Sequence, residues 1–116
     1  MVSSGIFTDL VPTIKCLPQE TRELSSKLKF RNTILVYLKV DESAGANLKD
    51  NWLYIHSPEV LSGRMCDYAN WSTDMQLGQK EHIVCFEYWA QESDALWQKD
   101  NEALIEQAKA DAIASG

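Results

Sequence analysis

The sequence predicts an α+β domain, in which an antiparallel sheet of about four strands is flanked by helices at both ends of the chain. Three observations lead to this class: residue patterns with a period of two occupy the middle of the chain, the loops between them are short, and helical patterns lie on either side. Short connections favour antiparallel neighbours, and helices beside an antiparallel sheet define the α+β class.

The first thirty residues are expected to form two short helices. Thr8 is a suitable N-cap for a helical turn over residues 8–15, where Pro12 limits the regularity of the turn. Pro18 suits the first turn of a second helix over residues 18–30. A narrow apolar stripe accompanies this second helix and consists of Leu17, Leu24 and Leu28.

Four segments have the composition of strands, and a polar loop over residues 41–50 joins the first two. They cover residues 33–40, 51–56, 64–70 and 81–90. In the first segment, one face of the sheet would receive Ile34, Val36, Leu38 and Val40. The other face would receive Thr33, Leu35, Tyr37 and Lys39.

The last predicted element is a helix over residues 101–114, with Asp100 as its N-cap. Its apolar stripe consists of Leu104, Ile105, Ala108 and Ala112. The small alanines in this stripe indicate close packing on the sheet. We expect residues 1–116 to form a single domain.

Aromatic residues are dense over the predicted sheet. They are Trp52, Tyr54, Tyr68, Trp71, Phe86, Tyr88, Trp89 and Trp97. One face of the sheet would form the core under the helices, and the other is expected to be an apolar face without its partner.

The composition restricts the function. With 45% hydrophobic and 24% charged residues, the 116-residue chain is typical of a globular protein. Its net charge of −6 and scattered basic residues argue against a nucleic-acid partner. Its apolar runs are too short for a bilayer span and its start lacks a signal-peptide pattern, so the sequence predicts a cytoplasmic protein.

Residues with catalytic chemistry are sparse. The sequence has no nucleotide-binding glycine motif, no nucleophile elbow and no metal-ligand spacing, so no catalytic, cofactor-binding or metal-binding residue is predicted. Cys66 and Cys85 lie in strand-like runs and are expected to be small buried side chains. His56 and His82 stand alone, and Glu87 is expected to point to solvent at a sheet edge.

The best candidate site begins at Arg64 and ends in a polar turn. The guanidinium of Arg64 could hold a phosphate or carboxylate with two hydrogen bonds. Asn70, Trp71 and Ser72 place an indole between hydrogen-bonding side chains, a mixture that small-molecule sites use. The structural alternative is that Arg64 is a surface charge, Trp71 packs on the core, and Asn70 to Ser72 only begin a turn.

Three segments resemble a known family. The segment "LKFRNTILVYL", the segment "WLYIHSP" and the strand from Arg64 to "NWS" are similar to the middle of FAD-dependent amine-oxidase-like flavoproteins. The nearest branch is related to protoporphyrinogen oxidase and UDP-galactopyranose mutase. The similarity covers residues 2–110. Residues 3–6 depart from the family pattern, which has a proline after the serines.

The resemblance implies that this chain is the substrate-binding cap domain of a larger oxidoreductase. In such a parent protein, FAD-binding Rossmann segments precede and follow this stretch, and the antiparallel sheet roofs the flavin. The isolated chain would hold no FAD and would be inactive. Arg64 would bind a small-molecule substrate, with Asn70, Trp71 and Ser72 in the adjoining turn.

Two alternatives remain from the same residues. The parent could be a nucleotide-sugar mutase of the UDP-galactopyranose mutase type, in which Arg64 would grip a diphosphate. The chain could instead be a self-contained binding or dimerisation module that associates through its exposed sheet face, because large apolar patches on a monomer usually mark an interface.

Overall fold

The computed structural model describes residues 4–41, 48–75 and 81–116. The chain divides into two compact units, Met1–Phe30 and Arg31–Gly116, and each is described by itself. The predicted single domain over residues 1–116 stays a prediction.

The first unit contains two short helices. Helix α1 spans Phe7–Leu10 and continues into a 3-10 turn over Val11–Thr13. Helix α2 spans Gln19–Ser25, with Pro18 directly before it. The predicted cap at Thr8 is wrong, because α1 starts one residue earlier and the extended residue Ile6 precedes it.

The apolar stripe of α2 is only partly realised. The helix ends at Ser25, where the Ser25 hydroxyl donates to the carbonyl of Arg22 over 2.7 Å. Leu28 therefore lies beyond the helix, and both Leu24 and Leu28 are about half exposed.

The second unit is an antiparallel sheet covered on one face by a helix, which confirms the predicted α+β class. Its strands are β1 (Asn32–Asp41), β2 (Trp52–Tyr54), β3 (Arg64–Asp67) and β4 (Glu81–Ala90). The strand order across the sheet is β1-β4-β3-β2. Strands β1 and β4 pair along their full length, from Asn32 opposite Ala90 to Asp41 opposite Glu81.

Strand β3 is shorter than the sequence predicted, for a local reason. The Asp67 carboxylate accepts a hydrogen bond from the backbone N–H of Ala69 over 2.9 Å. This bond opens a 3-10 turn over Tyr68–Asn70 and takes the chain out of the sheet. Strand β2 is also short, although the N–H of Ile55 still donates to Gly63 on the neighbouring chain segment over 3.1 Å. Most of the predicted loop over residues 41–50 lies outside the described residues.

Helix α3 spans Asn101–Ser115 and covers the sheet. The predicted cap is confirmed, since the Asp100 side chain accepts from the N–H of Ala103 over 2.8 Å. The core between helix and sheet centres on Val36, Val84, Phe86, Tyr88 and Ala108. Of the predicted stripe, Leu104, Ala108 and Ala112 pack here, whereas Ile105 is 40% exposed.

The loop before β3 is held to α3 by a buried carboxylate. Asp111, which is 1% exposed, accepts hydrogen bonds from the backbone N–H groups of Leu61 (3.3 Å) and Ser62 (3.0 Å). The side-chain amide of Gln107 donates a third over 3.1 Å. Burial, together with the neighbouring Asp111 carboxylate, raises the pKa of the enclosed Tyr88 hydroxyl. This polar cluster fixes where β3 begins and therefore where Arg64 lies.

Candidate functional site: the aromatic face of the sheet

The face of the sheet opposite α3 carries the candidate site. Strand alternation and register place one set of side chains here, which we call the aromatic face. It consists of Thr33, Leu35, Tyr37, Lys39, Trp52, Tyr54, Arg64, Cys66, Ile83, Cys85, Glu87 and Trp89, joined by Tyr68 and Trp71 from the turn after β3. Among the described residues of the second unit, no helix packs on this face.

Several large side chains of this face are about half exposed. The exposed fractions are 47% for Leu35, 52% for Tyr37, 46% for Trp52, 54% for Tyr54 and 49% for Trp71. The prediction of an apolar second face is therefore confirmed. Scattered single hydrophobic residues are normal on a protein surface, whereas these five lie together on one face of the sheet or in the turn beside it.

The aromatic rings are ordered by contacts with one another. The rings of Trp52 and Trp71 stack with centroids 5.3 Å apart, and the indole N–H of Trp71 donates to the Cys66 sulfur over 3.1 Å. The rings of Tyr37 and Tyr68 stack at 5.9 Å. A hydrogen bond with Tyr37, together with burial, raises the pKa of Tyr68 to about 12. Because the rings hold one another, a partner would meet a surface that is already arranged.

A charged pair lies in the middle of this apolar surface. Arg64 Nη2 lies 2.6 Å from Glu87 Oε2, and the two side chains are 33% and 13% exposed. The guanidinium carbon of Arg64 also lies 5.8 Å from the centroid of the Tyr54 ring, within range of a cation–π contact. The hydrogen bond to Glu87 raises the pKa of Arg64, against the opposing effect of burial.

The predicted position of Glu87 is wrong. Glu87 lies on β4, which is an inner strand of the sheet, and its carboxylate pairs with Arg64 instead of pointing to solvent at an edge. The sequence alone did not join these residues because they are 23 positions apart. The pairing register of β3 and β4 would have identified the ion pair. In this register Cys66 lies opposite Cys85, and Arg64 therefore lies opposite Glu87.

The four predicted site residues do not converge on one point. Arg64 and Trp71 both lie on the aromatic face. The side-chain amide of Asn70 instead donates to the backbone carbonyls of Leu48 (2.6 Å) and Asp50 (3.1 Å). The Ser72 hydroxyl accepts from the N–H of Asp74 over 3.2 Å. Asn70 and Ser72 thus shape the local backbone, and the substrate-binding role of all four stays a prediction.

Two further contacts fix the floor of the face. Gly63 lies directly beneath Trp89, where an added Cβ would overlap the carbons of the indole ring. Cys66 and Cys85 are buried free thiols, as predicted, and burial raises the pKa of Cys85 to about 11. The Cys85 thiol is therefore protonated at neutral pH and acts as a small packed side chain.

The Glu87 carboxylate is engaged by Arg64, and among the described residues no group of histidine, cysteine or carboxylate side chains could hold a metal ion. Within the same residues, every helix is too short or too polar to cross a membrane. Comparison with known protein families, curated proteins and solved structures finds no match for this chain.

Proposed function

We propose that this chain is a self-contained association module whose aromatic face pairs with the same face of a second copy. The observation that carries the proposal is the contiguous set of half-exposed large side chains on one face of the sheet. An isologous interface needs a single self-complementary patch, and two-fold dimers are the commonest oligomers.

The size of the patch is sufficient for a specific dimer. An aromatic side chain buries about 150–250 Å² when it is fully enclosed, so a half-exposed one leaves on the order of 100 Å² to be covered. Four half-exposed aromatic residues and Leu35, contributed by each of two copies, would bury about 1,000 Å² in total. This area is at the lower limit of specific interfaces.

The charges of the face favour a second copy over a strongly charged partner. Arg64 is neutralised by Glu87, and Lys39 at the rim pairs with Glu81 over 2.7 Å. Two identical faces can therefore meet without bringing unpaired charges from these groups together, even though the whole chain carries a net charge of −6. A basic partner would find these carboxylates already occupied.

The oligomeric state of the chain tests the proposal. Size-exclusion chromatography with light scattering should give twice the 13.2-kDa chain mass. Leu35→Glu would place two carboxylates in each dimer interface, and we expect the dissociation constant to rise about 100-fold. Ile113→Glu is the matched control, because Ile113 is 83% exposed on α3, away from the aromatic face. A monomeric wild-type chain at about 100 µM, or an unchanged dimer in Leu35→Glu, would contradict the proposal.

A second candidate retains the resemblance to FAD-dependent flavoproteins. The face would then cover the FAD-binding part of a parent oxidoreductase or nucleotide-sugar mutase. The observation that favours this candidate is that the Arg64 side chain remains 33% exposed, so a diphosphate group could reach it. FAD titrated into the chain alone should show no change in flavin fluorescence, whereas UDP should bind and lose affinity about tenfold in Arg64→Lys. Absence of UDP binding would remove the role of Arg64.

A cytoplasmic location stays a prediction.

A further inference from the structure

A cavity of about 760 Å³ lies mainly on the helix-covered side of the sheet, and Tyr54 is the one described residue of the aromatic face that also lines it. It is formed between the sheet and the last turn of α3, within the second unit. Its apolar wall includes Val40, Leu53, Ile55, Met65, Val84 and Ala112. The cavity therefore adjoins the hydrophobic core and shares residues with it.

Small side chains on α3 account for the space. Ala108 is fully buried and brings the helix close to the sheet, while Ala112 and Ala114 line the cavity in the last turn. Because a methyl group fills little volume, the strand residues opposite Ala112 and Ala114 are left without a full set of packing partners.

The chemistry of the wall selects the kind of molecule that fits. Among the described lining residues there is no lysine, arginine, aspartate or glutamate, and the polar groups include the His56 imidazole and the Ser57 hydroxyl. A charged ligand would lose its hydration without gaining a lysine, arginine, aspartate or glutamate partner from the described lining residues. The volume lies within the range of small-molecule sites, which are mostly apolar with a few polar groups.

We propose that this cavity binds an uncharged small molecule with an aliphatic chain and one hydroxyl-type head group. The chain lies against the aliphatic wall, and the head group exchanges hydrogen bonds with His56 or Ser57. The Ser57 oxygen accepts only a 3.4 Å contact from the N–H of Glu59, so its hydroxyl hydrogen is available to a ligand. This proposal does not depend on the association of two copies.

Methyl NMR on the full chain tests the proposal, with 1-octanol and 1-decanol as probes. Saturable shifts are expected for the methyl groups of Leu53, Ile55 and Val84, while Leu35 on the aromatic face serves as the internal reference. Each added methylene should tighten binding about fourfold, so 1-decanol should bind about 15-fold tighter than 1-octanol. Decanoate should bind at least tenfold more weakly than 1-decanol, because its carboxylate loses its hydration and meets no lysine or arginine side chain among the described lining residues.

A pair of alanine variants locates the site. Ala112→Phe adds about 100 Å³ of side chain to the wall of the 760 Å³ cavity and should weaken 1-decanol binding several-fold, whereas Ala110→Phe, on the exposed side of the same helix, should leave the affinity unchanged. The chain-length series on the unmodified protein remains decisive if Ala112→Phe does not fold. The proposal is overturned if no cavity methyl shifts up to the solubility limit of 1-decanol. Equal shifts at Leu35, equal effects of the two variants, or equal affinity for octanol and decanol would overturn it as well.

Discussion

Replacing Asp111 by alanine tests the buried polar anchor between α3 and the sheet. The substitution removes the acceptor for the N–H groups of Leu61 and Ser62 and for the side chain of Gln107. A net hydrogen bond to a charged acceptor contributes about 1.5–3 kcal/mol. The backbone N–H of Ser62 cannot bond to water in the variant, because Ser62 is 1% exposed. The N–H of Leu61 can, because Leu61 is about half exposed. We therefore expect Asp111→Ala to lower the free energy of unfolding by about 3 kcal/mol.

Urea unfolding followed by circular dichroism measures this loss, and a second aspartate of the same helix provides the control. Asp100→Ala removes an exposed N-cap with one hydrogen bond to Ala103, which should cost about 1 kcal/mol. Amide exchange at Ser62 should become faster in Asp111→Ala and stay unchanged in Asp100→Ala. The reasoning is refuted if the Asp111 variant loses no more stability than the Asp100 variant, or if Ser62 keeps its protection.

Three further predictions concern Gly63 and Cys85, which lie at the floor of the aromatic face. Gly63→Ala should lower the free energy of unfolding by about 2 kcal/mol, because the added Cβ displaces the Trp89 ring. Chemical denaturation should show a smaller loss when the same substitution is made in a Trp89→Leu background. Equal losses in both backgrounds would contradict the clash. At pH 8, iodoacetamide should alkylate exposed Cys16 quickly and Cys85 slowly. The raised pKa of Cys85 stabilises the folded state below pH 9, and about 2–3 kcal/mol should be lost as the pH rises from 9 through 11. Cys85→Ala should flatten this alkaline loss, and an unchanged slope would assign it to other groups.

Strand and helix patterns predicted most of the second unit. The bounds of β4 agree with the sequence prediction, because its ten residues are rich in the β-branched and aromatic types that favour strands. The start of α3 was also predicted, since an aspartate before an alanine-rich run of good helix formers is a strong local signal. Both features depend only on residues that are close together in sequence. The end of β3 was missed because the Asp67 side chain competes with the sheet for the backbone.

The candidate site was only partly predictable, because its contacts join residues that are far apart in sequence. Arg64 and Trp71 stand out by residue type, but the ion pair, the stacked rings and the hydrogen bond to Cys66 all join residues from different elements. Their geometry follows from strand order and register, which side-chain periodicity does not give. The position of β4 between β1 and β3 makes Glu87 an inner residue, and no local pattern around Glu87 indicates this.

The two faces of the sheet allow the two proposals to be tested independently in one molecule. Successive residues of a strand point to opposite faces, so Cys85 lies on the aromatic face while its neighbour Phe86 is buried in the core beneath α3. A dimer formed through the aromatic face would therefore leave the cavity lining other than Tyr54 uncovered, since Tyr54 belongs to both surfaces. A molecule bound in the cavity would likewise leave Leu35 free to pair. Leu35→Glu should thus abolish association while preserving 1-decanol binding, and Ala112→Phe should weaken 1-decanol binding while preserving association. If either substitution removed both properties, the sheet would have to couple its two faces, and independent function of the faces would be refuted.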